Sequence, residues 1–266
     1  MKTRKQALTG RSRPVKEWIY GLNPILEAMR AGRNIDVIFL SSGKRRLPHV
    51  LEITKEAQKR NISLGEKDIQ FFHANFPKGH QGIAARVSPK TYISLDELLK
   101  IPSKNYELPL FIILDLIEDP RNLGAILRVA DAAGAHGVII QSHRSVSLSA
   151  DVAKSSAGAV EYVPVSLVTN IKHAINTLKE HGITIVGAEA EADKAVWDFD
   201  LRVPLALVIG SEGKGLRKTV KESCDLLASL PMRGNVNSLN VSVTVGILAF
   251  EILRQRIHIN EFGGKK

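Results

Sequence analysis

Three polar stretches hold most of the residues in this 266-residue chain whose types and spacing could do chemistry. The first, Asp119-Pro120-Arg121-Asn122, opens a helix, with proline near its start and Asn122 a residue type able to cap it. Leu123, Ile126, Leu127 and Ala130 then share one face, so Arg121 and Arg128 stand on the other. A guanidinium there either stays solvated, the commoner outcome in so basic a chain, or meets an anion. The second, Gly210-Ser211-Glu212-Gly213-Lys214-Gly215, joins a buried strand to a helix, and its glycines permit a tight turn or close approach of backbone to a ligand. It lacks both the Gly-Lys-Ser/Thr ending of a P-loop and the glycine spacing of a dinucleotide fingerprint. The third runs from Leu230 to Asn240 and ends in Ser238 and Asn240, residue types that cap helices, directly against an apolar helix. A polar loop held at both ends by the core suits a ligand site on a rigid scaffold.

The elements that must position these stretches follow from apolar periodicity. Short continuous runs at 111–116, 137–140, 183–188 and 205–209 read as strands buried on both faces, with helices between them at about 122–133, 150–156, 171–181 and 216–223. This is an α/β domain with a mainly parallel sheet, which binds ligands at the carboxyl ends of its strands. Ahead of it, residues 17–88 read as a small α/β domain: helices at 24–31 and 48–60, strands at 37–40, 62–64 and 82–87. Residues 89–109, with Pro89, Pro102 and Pro109, read as a linker, residues 110–259 as the larger domain, and 260–266 as a tail. Residues 1–16 carry six basic side chains and no acidic one, and read as a flexible basic arm, with or without a partner. In the last helix, 241–255, Val241, Val245, Leu248 and Ile252 form one stripe while Val243, Ile247, Phe250 and Leu253 form another. Two apolar faces need two partners: a second copy of the chain, or the centre of a monomer.

Thirty-seven Lys and Arg against 27 Asp and Glu give a net charge of +10, which suits a polyanionic partner, nucleic acid or an anionic membrane surface. The single Cys224 excludes an intramolecular disulfide and a multi-cysteine metal site, so no metal is expected. No apolar run reaches the roughly 18 residues of a membrane span, and residues 1–16 lack the apolar run of a signal peptide, so a cytoplasmic protein is expected.

In order and spacing the stretches 114–128, 207–216 and 230–243 resemble the three motifs of the SpoU/TrmH group of the SPOUT RNA methyltransferases. Residues 20–28 (Tyr-Gly-Leu-Asn-Pro-Ile-Leu-Glu-Ala) and 80–87 (His-Gln-Gly-Ile-Ala-Ala-Arg-Val) resemble the substrate-binding domain of bacterial 23S rRNA guanosine 2′-O-methyltransferases of the RlmB type. The resemblance implies a trefoil-knotted C-terminal domain, an RNA-binding N-terminal domain, a homodimer, and S-adenosyl-L-methionine as cofactor. It implies Arg128, Asn122, Glu212, Ser238 and Asn240 as catalytic residues, and Gly210, Leu230, Leu239 and Ser238 as residues that hold the cofactor. Apolar walls with backbone donors suit a flat, uncharged adenine. Arginine keeps its proton far above neutral pH and is a poor general base. Arg128 would instead stabilise the 2′-oxygen as it loses its proton, or hold the adjacent phosphate; which group takes the proton stays open. A tRNA ribose, a base nitrogen, or a non-catalytic role in ribosome assembly are the competing readings.

Overall fold

Short strands, mostly buried in β4 and largely open to solvent in β3, build a four-stranded sheet from β1 (Glu17–Tyr20), β2 (Ile35–Ser41), β3 (Ser63–Lys67) and β4 (Ile83–Val87). The computed structural model describes residues 16–43, 48–235 and 238–262; all but Lys16 of the basic arm, and 263–266 of the tail, lie outside them. The strand order is β1-β4-β2-β3, parallel only between β2 and β3. One face packs on α1 (Leu22–Arg30) and α2 (Pro48–Lys59), whose Val50, Ile53 and Ala57 form the stripe expected from the sequence. The other face meets Ala150 of the second domain and α3 (Ile69–Asn75), capped by Asp68, whose carboxylate accepts from Phe71 N at 2.7 Å. Both β1 and α3 escape the sequence reading, because a four-residue strand and a seven-residue, phenylalanine-rich helix are too short to show a period.

Residues 89–109 do more than connect. They form α4 (Leu95–Leu99), closed by a Ser94–Glu97 capping box, and α5 (Ile101–Asn105), and Leu98 is fully buried among Phe111, Ile113 and Ile139. The prolines mark the chain breaks of this segment but not its packing.

The second sheet contains β5 (Leu110–Leu114), β6 (Gly137–Gln141), β7 (Val165–Val168), β8 (Thr184–Ala188), β9 (Leu205–Ile209) and β10 (Leu226–Ala228). Every pairing is parallel, in the order β10-β8-β9-β5-β6-β7. All residues of β5 and β9 are buried, as befits central strands covered on both faces. The edge strands β7 and β10 were not expected; each is too short to stand out as an apolar run. The helices are α6 (Pro120–Ala132), α7 (Ala150–Ser155), α8 (Ile171–Glu180), α9 (Lys218–Lys221) and α10 (Val241–Phe262). α10 buries Val241, Val245, Leu248 and Ile252 and leaves Val243, Ile247 and Phe250 exposed at 49%, 41% and 48%. It packs on α6 within the same chain. Among the described residues no helix is long and apolar enough to cross a membrane. Cys224 is half-buried, and burial pushes its thiol up to about 11, so it stays protonated and unreactive at neutral pH.

The two sheets are joined by one apolar core, to which Ile19, Ile38 and Ile83 contribute from the first and Ile112, Val138 and Leu207 from the second. Polar contacts lock the junction. Arg33, 6% exposed, donates to Glu161, 1% exposed, at 2.6 Å, and to Ser88 O at 2.8 Å, and also pairs with Glu17. Lys90 donates to Glu161 O at 2.7 Å, and burial pulls its ammonium below the usual value. Tyr20 donates to Asp151 and Tyr162 to Glu27, both at 2.5 Å, and Lys154 donates to Gln81 at 3.3 Å. The stretches 20–28 and 80–87 thus supply much of the docking surface between the sheets.

Candidate active site

The three polar stretches meet at the carboxyl ends of β5 and β9, beside the start of α10. Asp119, not Asn122, caps α6: its carboxylate accepts from Arg121 N at 2.8 Å and also holds the Arg121 guanidinium at 3.1 Å. Asn122 lies three residues further, inside the first turn, which frees its side chain. Its Nδ2 donates to Glu212 Oε1 at 3.2 Å, and its Oδ1 accepts from Asn240 Nδ2 at 3.1 Å. Asn240 also donates to Glu212 Oε1, at 2.7 Å. With its own Oδ1 it accepts from Ser242 N at 3.0 Å, the expected helix cap. One carboxylate therefore gathers a residue from each stretch at the N-terminus of a 22-residue helix, where unpaired amides favour negative charge.

The Gly210–Gly215 stretch closes on itself, with Gly215 N donating to Ser211 O at 2.9 Å. A Cβ on Gly210 would lie 2.1 Å from Gly215 C and 2.4 Å from Leu216 N. The absent side chain therefore makes room for the chain's own backbone, not for ligand approach as the sequence suggests. Downstream, Arg217 fastens the stretch to the sheet: it donates Nε to the fully buried Asp115 at 2.7 Å and a terminal nitrogen to Gln141 at 2.8 Å. Gly210→Val is expected to cost about 1–3 kcal/mol of stability by overpacking and to abolish ligand binding through the deformed loop. Urea unfolding of the variant reads the first, and an unchanged midpoint would remove the steric argument.

Beside this loop lies a cavity of about 450 Å³ that includes Gly210, Glu212, Ser238, Leu239 and Glu189 in its lining. Leu239, Ser238 and Thr244 are shared with a smaller apolar recess of about 110 Å³, closed by Ala228, Leu230, Met232 and Leu248. The larger volume is that of a small-molecule site, roughly 300–1,000 Å³.

The family model described as SpoU rRNA Methylase family matches residues 109–250, more than half the chain. The chain belongs to the SpoU/TrmH family of RNA methyltransferases. A second model, RNA 2′-O ribose methyltransferase substrate binding, matches residues 18–93. A Bacillus subtilis (strain 168) protein assigned by name to the TrmH family of tRNA/rRNA methyltransferases, YacO, is 40% identical over 247 residues, 92% of this chain and 98% of that protein. The 23S rRNA (guanosine-2′-O-)-methyltransferase RlmB of Pseudomonas aeruginosa is 40% identical over 241 residues, 90% and 97% of the two chains. Among solved structures, the SpoU methyltransferase AviRb from Streptomyces viridochromogenes, in complex with the cofactor AdoMet, superposes with a TM-score of 0.75. That pair is 26% identical and covers 91% of each chain.

Of the residues that the SpoU/TrmH resemblance singles out, Gly210, Glu212, Leu230, Ser238 and Leu239 line the two cavities, and Asn122 and Asn240 join them through Glu212. Arg128 does neither. It is exposed, lines neither cavity, and makes no hydrogen bond or ion pair with the described residues. Sequence reasoning missed Ala188 and Glu189 at the end of β8, Met232, and Thr244 on α10. The rule that ligands sit beyond the carboxyl ends of parallel strands could have found the first two, since β8 ends at Ala188. No group of three or more His, Cys, Asp or Glu side chains among the described residues is placed to hold a metal.

Proposed function

We propose that this SpoU/TrmH enzyme methylates the 2′-hydroxyl of a guanosine ribose in 23S ribosomal RNA, in the cytoplasm, with S-adenosyl-L-methionine as methyl donor. The observation that carries the reading is the convergence of Asn122, Glu212 and Asn240 beside a cavity of about 450 Å³. The cavity fits the cofactor chemically: Leu230, Met232 and Leu239 offer apolar walls to an adenine, and backbone around Gly210 and Ser238 offers hydrogen bonds. When bound, S-adenosyl-L-methionine supplies a methyl group activated by a positively charged sulfur.

The chain's residues do the rest. Glu212 ties the three stretches together and so holds the pocket in shape before substrate arrives. Ser238 and Leu239 face the same space from the third stretch. Arg128, uncommitted where its neighbour Arg121 is held by Asp119, is a cation available to the RNA, at the 2′-oxygen or the adjacent phosphate. Because it lines neither cavity of its own chain, the reading includes a homodimer. Val243, Ile247 and Phe250 would be covered by a second copy, which would carry its own Arg128 towards this cavity. The charge of +10 supports an RNA substrate, and the relative named for 23S rRNA supports that choice of RNA.

The test is transfer of labelled methyl to rRNA and, in parallel, to tRNA from cells lacking the enzyme. The expected product is one alkali-resistant guanosine linkage in 23S rRNA, since a 2′-methyl group blocks the attack that cleaves RNA. Label on a base, or transfer to tRNA alone, would overturn the assignment.

A further inference from the structure

The second face of the first sheet is only half covered. Its rows read, in register across β1, β4, β2 and β3, Tyr20–Ala84–Phe39–Gly65 and Trp18–Arg86–Val37–Ser63. α3 lies over the first row through Phe71 and Phe72, with Phe76 behind it. The second row stays open: Arg86 and Ser63 are exposed, and Trp18 and Val37 half-buried. Ala84 is small enough for Trp18 and Phe39 to meet above β4, their centroids 5.4 Å apart and their planes at 27°. Phe76 meets the same indole edge-on at 5.8 Å, which fixes its orientation. Gly65 lets the Phe39 ring lie against bare backbone, where a Cβ would sit 2.7 Å from the ring. A preoriented indole beside a shallow floor of Val37 and Ser63 is a surface for a flat ring.

Its charge says which flat ring. Lys67 stands 5.3 Å from the Phe39 centroid and 5.4 Å from that of Phe71. Arg86 and Lys16 flank the open row and share one counter-charge, Asp36, at 3.5 Å and 2.8 Å. Three cations against one carboxylate around half-buried aromatic rings suit a base carried on a phosphate chain, which gains both stacking and ionic attraction. The aromatic cluster also abuts the second domain, since Ala150 at the start of α7 packs against it. α7 in turn packs on α6, the helix of Arg121 and Arg128.

We infer that the open row around Trp18, Val37 and Arg86 stacks an unpaired base of the RNA substrate, making the first domain a reader of single-stranded nucleotides as well as of backbone charge. The inference rests on the RNA-modifying reading for the identity of the polymer, and its test reads binding without requiring turnover. Two RNAs of equal length serve as probes, a hairpin with an adenosine loop and a blunt duplex. Trp18→Ala should weaken the hairpin about ten-fold, the scale of one lost base–aromatic stack, and leave duplex affinity and cofactor binding unchanged. Trp18→Phe, which keeps a ring, should stay within about three-fold of wild type. With Trp197→Phe removing the other tryptophan, the Trp18 emission should be quenched by the hairpin and not by the duplex. Equal loss for both RNAs, unchanged hairpin affinity, or absent quenching overturns the inference. Normal methyl transfer to 23S rRNA with no quenching rejects the stacking site alone, whereas quenching by the hairpin without methyl transfer to 23S rRNA supports the site and rejects the 23S rRNA reading.

Discussion

Arg128→Ala is expected to cut methyl transfer by at least about 10²–10³-fold while cofactor affinity stays within about two-fold of wild type. The asymmetry follows from position: Arg128 touches neither cavity, so nothing that holds the cofactor is removed. Arg121, seven residues earlier on the same face, cannot substitute because Asp119 holds it at 3.1 Å. Arg128→Lys should recover little, since an ammonium cannot hold an oxygen and a phosphate with one planar fork. Single-turnover assays with saturating cofactor, alongside calorimetric titration of cofactor, check both halves. A lysine variant near the wild-type rate would mean that charge alone suffices. The same residue tests the dimer. Exchanging subunits between Arg128→Ala and Leu239→Asp, each inactive alone, should restore about a quarter of the wild-type rate if each site takes its arginine from the second copy. No recovery in demonstrably mixed dimers would put Arg128 to work in its own chain.

The second large effect is on stability. Glu161→Ala removes the 2.6 Å partner of Arg33, 6% exposed, but leaves it paired with Glu17 and Ser88 O, so the expected cost is that of one lost charged hydrogen bond at a buried site, about 1–3 kcal/mol. Arg33→Ala should cost about as much, since among the described residues it leaves Glu161 with Lys90 alone, at 3.6 Å. Replacing both by Arg33→Met and Glu161→Leu should recover most of the loss, because the desolvation of two ions disappears along with their attraction. Equilibrium urea unfolding reads all three. A loss below about 1 kcal/mol for the single variants, the size of a surface pair, would show that water reaches the junction.

Periodicity carries the helical faces: the buried stripe of α10 and the buried Leu123, Ile126, Leu127 and Ala130 of α6 appear as expected. Of the residues that the motif resemblance names, Gly210, Glu212, Ser238 and Leu239 line one cavity and Leu230 the adjoining recess, while Arg128 lines neither. Neither could show the contacts that make it a site. Asn122 and Glu212 are 90 residues apart, Asn122 and Asn240 118, and Arg33 and Glu161 128. A side chain's partner at such separations is decided by the fold and leaves no local signal. The cap of α6 shows the limit at short range too. Asp119 and Asn122 are both capping types, and only the backbone decides that the aspartate takes the role and the asparagine is released to Glu212. The trefoil threading implied by the resemblance belongs with the long-range features, as a property of chain path and not of pattern.

The continuous core across the two sheets has a geometric consequence for the RNA. Ile19, Ile38, Ile112 and Leu207 belong to one packed cluster, and Arg33, Tyr20 and Tyr162 close the seam around it. Opening that seam exposes apolar side chains and strands buried charges, so the two halves form a caliper of fixed span. An RNA held by both jaws has to match that span, and an insertion or deletion between the recognised segment and the modified nucleotide should be felt as a misfit that no hinge at the seam absorbs.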